Sequence, residues 1–594
     1  MEIQEIQVPE NFKYVLDRGA FEYRRASSNL AFMLEKHASD PDGSFMDSSL
    51  YGWLKQRAID TRVQQDLLLY GVLVNLFGEA EVPDSYWSDN GNHVIRYYPK
   101  GVTGDPVRAE GCGGEGCASG KNGLKKHRRF MQFQDWFARM FPELVALHGK
   151  EGADGDDHAA LVRSVTFQVT DACSLACSYC YQINKGANVM DFETAKTAVD
   201  KMLRNEAGFS DYLRGAEGII LDFIGGEPLL QVDLIDRIVD YFREQAILLG
   251  HPWSERFCIS LCSNGVAYRD PKVQAFLKKN ADHLSFSVTV DGTKELHDAC
   301  RVFPDTGKGS YDLAHDAAMD WKAKGFYMGS KITMAPANIQ YFADCLKQMV
   351  LDGYYDINAN EVFEKGWKPE HGAVVYGQVK EFADWMRENG YRQEDYAISF
   401  LGESWCTPME ETDNRNWCGG LGEMLSFDPS GRAFPCIRYM ESSLGTDQEP
   451  VVVGSVDGGL LRKEEEKAAF GKMQAVTRRS QSTDECFYCP IASGCSWCSA
   501  YNYQVNGTVD KRATFICDIQ KARALCINYY WNTYYREKGI DEACDLWIPR
   551  EWAAPMVGDD EYTRLAELTK SLGGSVNEHG TMVRGYRRAG KEES

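Results

Sequence analysis

Three thiols fall within eight residues of each other in Asp171-Ala-Cys-Ser-Leu-Ala-Cys-Ser-Tyr-Cys-Tyr181, at Cys173, Cys177 and Cys180. Three cysteines can hold three irons of a cubane cluster and leave the fourth iron open to bind a small molecule and pass it an electron. Clusters that only carry electrons usually have four cysteine ligands, and a zinc site usually wants a fourth protein ligand. No His or Cys closely follows Cys180. The spacing therefore points to a reactive cluster.

A second concentration of thiols lies downstream. Cys406, Cys418 and Cys436 are followed by Cys486-x2-Cys489-x5-Cys495-x2-Cys498 and by Cys517. Taken alone, the C-x2-C pairs also suit zinc. Clustering of this kind in a chain of nineteen cysteines reads as metal or cluster ligation rather than disulfides. Cys258, Cys262, Cys300, Cys345, Cys526 and Cys544 read instead as scattered buried thiols. Cys112 and Cys117 sit in a Gly-rich stretch that reads as a solvated linker, with a metal-binding pair as the sharper alternative. The basic run at 125–129 reads as a solvated face.

These groups need elements to position them. Val165–Thr170 reads as a buried strand ahead of the thiol tripod, and strands at 219–224, 258–262, 284–290, 327–334 and 357–363 follow, each separated by a helical pattern. Asp191 caps one such helix, whose apolar face is Phe192, Ala195, Val199 and Met202. About six βα units predict a parallel sheet with helices outside, in a partial TIM-like barrel, with reactive loops at the carboxyl ends of the strands. The tripod lies at that end. So does Gly225-Gly-Glu-Pro228, straight after the second strand. Its glycines let the backbone approach a ligand closely, and Glu227 is a negative partner for an ammonium group.

Residues 1–157 read as a helical region, with helices at 21–34 and 49–77, and 149–157 as an acidic linker. The core takes 158–395, a turn-rich cysteine region 396–520 and a helical segment with a mobile tail 521–594. In the cysteine region, 423–427 and 432–436 flank the turn Asp428-Pro-Ser-Gly431 and predict a hairpin. Residues 522–552 read as helical.

The 594 residues predict about three domains. A net charge of −22 argues against a nucleic-acid partner and fits a basic peptide partner. The start, MEIQEIQVPENF, has no apolar signal region, and no stretch of 18 apolar residues occurs. The expectation is a cytoplasmic protein with no membrane partner.

Cys173-x3-Cys177-x2-Cys180, with Tyr179 before the third cysteine, resembles the signature of the radical S-adenosylmethionine (SAM) superfamily. Gly225, Gly226, Glu227 and Pro228 resemble its GGEP turn, which receives the SAM amino group. Ser263-Asn264-Gly265 resembles the family's third turn, and Thr289-Val-Asp-Gly292 with His297, Asp298 and Arg301 resembles a stretch of its peptide-modifying members. The resemblance implies that Asn264, Thr289 and Arg301 hold SAM or substrate. The later cysteines resemble a SPASM domain with two auxiliary [4Fe-4S] clusters. That assigns Cys418, Cys436 and Cys498 to the first, with Cys406 as candidate fourth ligand, and Cys486, Cys489, Cys495 and Cys517 to the second. Two departures stand out: the Cys495–Cys498 gap is one residue short, and Cys406 lies far from Cys418.

The resemblance implies that an electron donor such as flavodoxin or ferredoxin reduces the tripod cluster, which cleaves SAM to a 5′-deoxyadenosyl radical. It implies a maturase that crosslinks a ribosomally made precursor peptide, through a Cys thioether in the first instance. The alternative is a sulfatase maturase that oxidises Cys or Ser to formylglycine.

Overall fold

The computed structural model describes residues 3–40, 43–83, 86–89, 93–98, 162–213, 215–363, 366–416, 418–445, 448–495, 497–578 and 580–587. Cys112, Cys117, the basic run and the acidic linker lie outside these residues. The chain divides into two compact units, Met1–Leu161 with Arg243–Arg256, and Val162–Phe242 with Phe257–Ser594.

In the first unit the helices Glu10–Lys36 and Ser49–Phe77 pack through Val15, Leu16, Leu68, Val72 and Leu73. The Ser48 side chain caps the second, accepting from the Tyr51 amide at 3.1 Å. Three short strands, β1 (Gln4–Gln7), β2 (Tyr86–Asp89) and β3 (Val94–Tyr97), form an antiparallel sheet in the order β1-β3-β2. The sequence reading missed this sheet, because strands of four residues are too short to show alternation.

The second unit carries the expected parallel sheet. Strands β4 (Val162–Thr170), β5 (Gly218–Gly225), β6 (Phe257–Ser263) and β7 (Leu284–Val288) pair in parallel. Strands β8 (Ser330–Met334), β9 (Asp356–Glu361) and β10 (Ala397–Ile398) form a second parallel sheet. Helices such as Phe192–Arg204, Pro271–Lys279, Tyr311–Ala323 and Phe342–Leu351 alternate with the strands. The first starts at Asp191, whose side chain accepts from the Thr194 amide at 2.7 Å.

The expected hairpin is present as β11 (Met424–Phe427) and β12 (Arg432–Phe434), continued by β13 (Gly454–Ser455) and β14 (Gly459–Leu460). β11 pairs in parallel with β4, so the large sheet has the order β14-β13-β12-β11-β4-β5-β6-β7. The rings of Phe427, Phe167 and Phe223 run across β11, β4 and β5 with 5.7 Å between neighbouring centroids. The helical expectation over 522–552 resolves into Cys517–Lys538 and Arg550–Val557, the first ending at Gly539, where φ is +65°. Among the described residues, no helix is long and apolar enough to cross a membrane.

Candidate active site

The tripod loop leaves the carboxyl end of β4, and the Gly225–Pro228 turn leaves β5 beside it. The two are sewn together: the Gly226 amide donates to the Thr170 carbonyl at 3.0 Å and the Glu227 amide to the Ala172 carbonyl at 2.9 Å. A Cβ on Gly226 would run into the Ala172 carbonyl and stand 2.7 Å from Cys173 Cβ. Only glycine permits that approach. Pro228 opens a single 3-10 turn, Pro228–Gln231, capped by the Glu227 side chain.

The Glu227 carboxylate is buried, 2 % exposed, and it accepts three hydrogen bonds. Oε1 receives Ser263 Oγ at 2.8 Å and the Leu229 amide at 3.1 Å, and Oε2 receives the Asn264 amide at 2.8 Å. Burial pushes its pKa up, and these bonds pull it back. The side chain read as a partner for an ammonium group is thus already engaged in tying the β6 turn to the β5 turn. Asn264 carries the tie onward, its Nδ2 donating to Ser174 Oγ at 2.9 Å and facing Cys173 Sγ at 3.9 Å. Thr289 joins the same corner through its amide, 2.9 Å from the Ser263 carbonyl, with its Oγ1 3.5 Å from Cys262 Sγ.

Asp291 organises the other side of the tripod. It is 1 % exposed. Its Oδ2 receives Arg301 Nε at 2.6 Å and the Tyr179 hydroxyl, and its Oδ1 receives the Thr333 amide at 3.2 Å. Arg301 also faces Cys177 Sγ at 3.7 Å and lies 5.3 Å from the Tyr179 ring centre. Burial works against the charge on Arg301, and the Asp291 carboxylate together with Tyr179 and Cys177 outweighs it, so the guanidinium stays protonated. Burial and the same carboxylate push the Tyr179 phenol up. Behind them, burial lowers the His297 imidazole to about 4, and its ring nitrogens face the Asp291 amide at 3.3 Å and Ser310 Oγ at 3.0 Å. Arg301 is therefore a buried ion-pair residue that meets the tripod.

The donor set fits an iron–sulfur cluster. It is three thiols, with an amide from Leu175 at 3.5 Å from Cys173 Sγ and the Asn264 and Arg301 side chains turned to the sulfurs. Burial, reinforced by the neighbouring thiols, pushes the Cys173 and Cys177 thiols up. A bound metal is what turns such buried thiols into thiolates, and the nearby N–H groups then stabilise their charge.

The later cysteines gather into two groups. Cys436 is buried in a small core against which Cys418 and Cys498 pack, and Cys418 Sγ lies 3.2 Å from Ser499 Oγ. Cys486, Cys489, Cys495 and Cys517 form the other group. Burial, with the Cys495, Cys486 and Cys517 sulfurs nearby, pushes Cys489 up to about 12 against the Ile491 amide. Arg523, on the helix that begins at Cys517, donates to the Phe400 carbonyl at 2.8 Å and to the Gly494 carbonyl, next to Cys495, at 2.9 Å.

Cys406 lies with this second group. Its amide donates to the Ser493 carbonyl at 2.8 Å, and the Thr407 amide to Ser493 Oγ at 2.8 Å. Burial lifts its thiol to about 12, eased by Arg523 and reinforced by Cys495 and Glu361. The expectation that Cys406 completes the Cys418, Cys436 and Cys498 set thus meets a backbone pairing that holds it two residues from Cys495.

Among the scattered thiols, Cys345, Cys526 and Cys544 are buried as expected, Cys258 and Cys300 are half-buried, and Cys262 is exposed. Cys258 and Cys262 alternate along β6 with the buried Phe257, Ile259 and Leu261, so they point away from the helices. The sequence reading placed Ser263 and Asp291 within stretches that resemble the family's but gave neither a role of its own, and it passed over Ser174, which nothing local marks.

A family described as a 4Fe-4S single cluster domain matches residues 161–293. An uncharacterised protein of Methanocaldococcus jannaschii is 25% identical over 236 residues, 39% of this chain and 72% of its own. The radical SAM cyclopropyl synthase TigE of Paramaledivibacter caminithermalis is 19% identical over 427 residues, 67% of this chain and 75% of its own. The mycofactocin maturase MftC of Mycobacterium tuberculosis is 24% identical over 348 residues, 56% of this chain and 76% of its own. With a thiol tripod locked to a glycine turn at the carboxyl edge of a parallel sheet, and with these relatives, the chain is a radical SAM enzyme whose cofactors are S-adenosylmethionine and 4Fe-4S chemistry.

Proposed function

We propose that this enzyme matures a ribosomally made precursor peptide, taking a hydrogen atom from it and installing a Cys thioether crosslink. The observation that carries the reading is the grouping of Cys418, Cys436 and Cys498 without Cys406. A cluster held by three cysteines keeps an iron for an outside thiol, as a peptide Cys would supply. The relative named as a maturase supports the same class.

In this reading Cys173, Cys177 and Cys180 hold the first cluster, and the turns at Gly225–Pro228, Asn264 and Thr289 hold SAM. When bound, cluster and SAM together supply the carbon radical that hydrogen abstraction requires. The chain's own work is positional. Glu227 locks two turns to the Cys173 loop, and Arg301, fixed by Asp291, sets a positive charge beside Cys177. Cys486, Cys489, Cys495 and Cys517 hold a further cluster that carries electrons, and a flavodoxin or ferredoxin is the proposed donor. So many ligand thiols suit a reducing, cytoplasmic setting.

The test is mass spectrometry of a Cys-containing candidate peptide treated with reduced, reconstituted enzyme and SAM. The expected product has lost two hydrogens per crosslink and no longer reacts with a thiol reagent. A crosslink that survives Cys173→Ala, Cys177→Ala and Cys180→Ala together, or enzyme that never cleaves SAM, defeats the reading. An aldehyde at Cys or Ser replaces it with formylglycine formation.

A further inference from the structure

On the face of the large sheet turned away from the helices, one cross-strand row is polar, set on β5 between Ile220 and Ile224. Across five strands, Ser426, Thr166, Asp222, Ser260 and Ser285 stand in direct register, Ser426 with Thr166, Thr166 with Asp222, Asp222 with Ser260, and Ser260 with Ser285. Register partners share a face. Their chain neighbours, among them Phe167, Leu221, Phe223 and Ile259, point the other way and are fully buried. The row stands three residues before Gly225, about 10 Å below the glycine turn at strand spacing.

Asp222 is the one carboxylate of the row. Thr166 Oγ1 donates to its Oδ2 at 3.0 Å. Burial pushes the carboxyl up, opposed by hydrogen bonds from Ser260 and Thr166. Next to Thr166, Ser426 is fully buried and its Oγ has no hydrogen-bond partner. Toward the glycine turn on the same face, Cys262 is exposed. A hydrophobic cavity floor would place aliphatic side chains at these positions. Here an apolar occupant would strip water from a carboxylate and hydroxyls and return no hydrogen bond.

We propose that this row is the floor of the substrate site and that Asp222 selects a peptide residue whose side chain donates hydrogen bonds, such as lysine or asparagine. The inference rests on the peptide-maturase reading and adds to it the chemistry of the residue that enters the sheet. The acidic chain, with a net charge of −22, favours the same cationic end of that class.

Cys262 reports occupancy of this face without turnover. The SAM-loaded holoenzyme is alkylated with iodoacetamide, and labelling of Cys262 is followed by mass spectrometry. The competitors are capped Gly-Gly-X-Gly-Gly peptides with X as Lys, Asn, Leu or Phe. Lys and Asn peptides should slow Cys262 labelling at least threefold more than Leu and Phe peptides. Asp222→Asn should erase the advantage of Lys while leaving labelling without peptide at the wild-type rate. If that basal rate changes, the wild-type comparison among the four peptides decides alone. Equal protection by Leu and Phe, no protection by any peptide, or an unchanged Lys preference in an intact Asp222→Asn enzyme overturns the inference. SAM cleavage by the same preparation separates the two readings. Cleavage without side-chain selection sinks this inference only, whereas absence of cleavage sinks the proposed function.

Discussion

Replacing Glu227 with Gln tests whether this side chain acts through the turn it holds. The carboxylate serves three donors, two on Oε1 and one on Oε2. Gln keeps one oxygen. If that oxygen stays with Ser263 and Leu229, the new NH2 group faces the Asn264 amide, donor to donor, at a position now 2.8 Å from an acceptor. If the amide flips, two donors are lost instead. The milder arrangement leaves one buried backbone N–H without its charged acceptor, at a cost of about 2 kcal/mol. At about 1.4 kcal/mol per tenfold change, local opening of the β6 turn should become roughly thirtyfold more frequent. Amide exchange at Asn264 in the holoenzyme reads this directly, and SAM affinity should fall with it because Asn264 also steadies Ser174 beside Cys173. If Glu227→Gln abolishes SAM binding while Asn264 exchange moves by less than about threefold, the side chain meets the ligand itself and the positioning argument fails.

Three further outcomes follow from the same geometry. Arg301→Ala leaves Asp291, its side chain 1% exposed, as an uncompensated buried charge, and should cost about 3–5 kcal/mol, read as a lowered thermal midpoint. Adding Asp291→Asn should restore part of that loss, and no restoration would contradict the ion-pair account. His297 titrates near 6.5 when unfolded and near 4 when folded, because burial disfavours its charge. Its contribution is complete above pH 6.5 and is lost as pH falls toward 4, up to about 3 kcal/mol, so His297→Gln should flatten the midpoint-against-pH curve there, and parallel curves would refute it. Finally, Cys498→Ala should lower the iron content of reconstituted protein by up to one cluster, about 4 Fe. Cys406→Ala should leave it unchanged, and equal losses would return Cys406 to the first auxiliary set.

The parallel core was legible because its strands are continuous apolar or alternating runs and its helices carry their own caps, as Asp191 does. The first unit's sheet was not, since QEIQ, YWSD and VIRY carry no pattern of their own. Nor was the pairing of β11 with β4, because a hairpin's local signal ends at its own two strands, while its outer partner lies more than two hundred residues away.

What the sequence determined by itself was the order of chemistry along the chain: a thiol tripod and a glycine turn, each on a loop after a strand, and then a later set of cysteines. Residue type and short spacing carry that information, because a cluster ligand must be a cysteine and a close backbone approach needs glycine. Only the tertiary structure decided how each group is used. It tied Glu227 to Ser263 and Asn264, fixed Arg301 on Asp291, set Cys406 beside Cys495, and brought one hydroxyl or carboxylate from each of five strands into a single row. Those choices join residues tens to hundreds of positions apart. They depend on register and burial, which no local stretch of chain records.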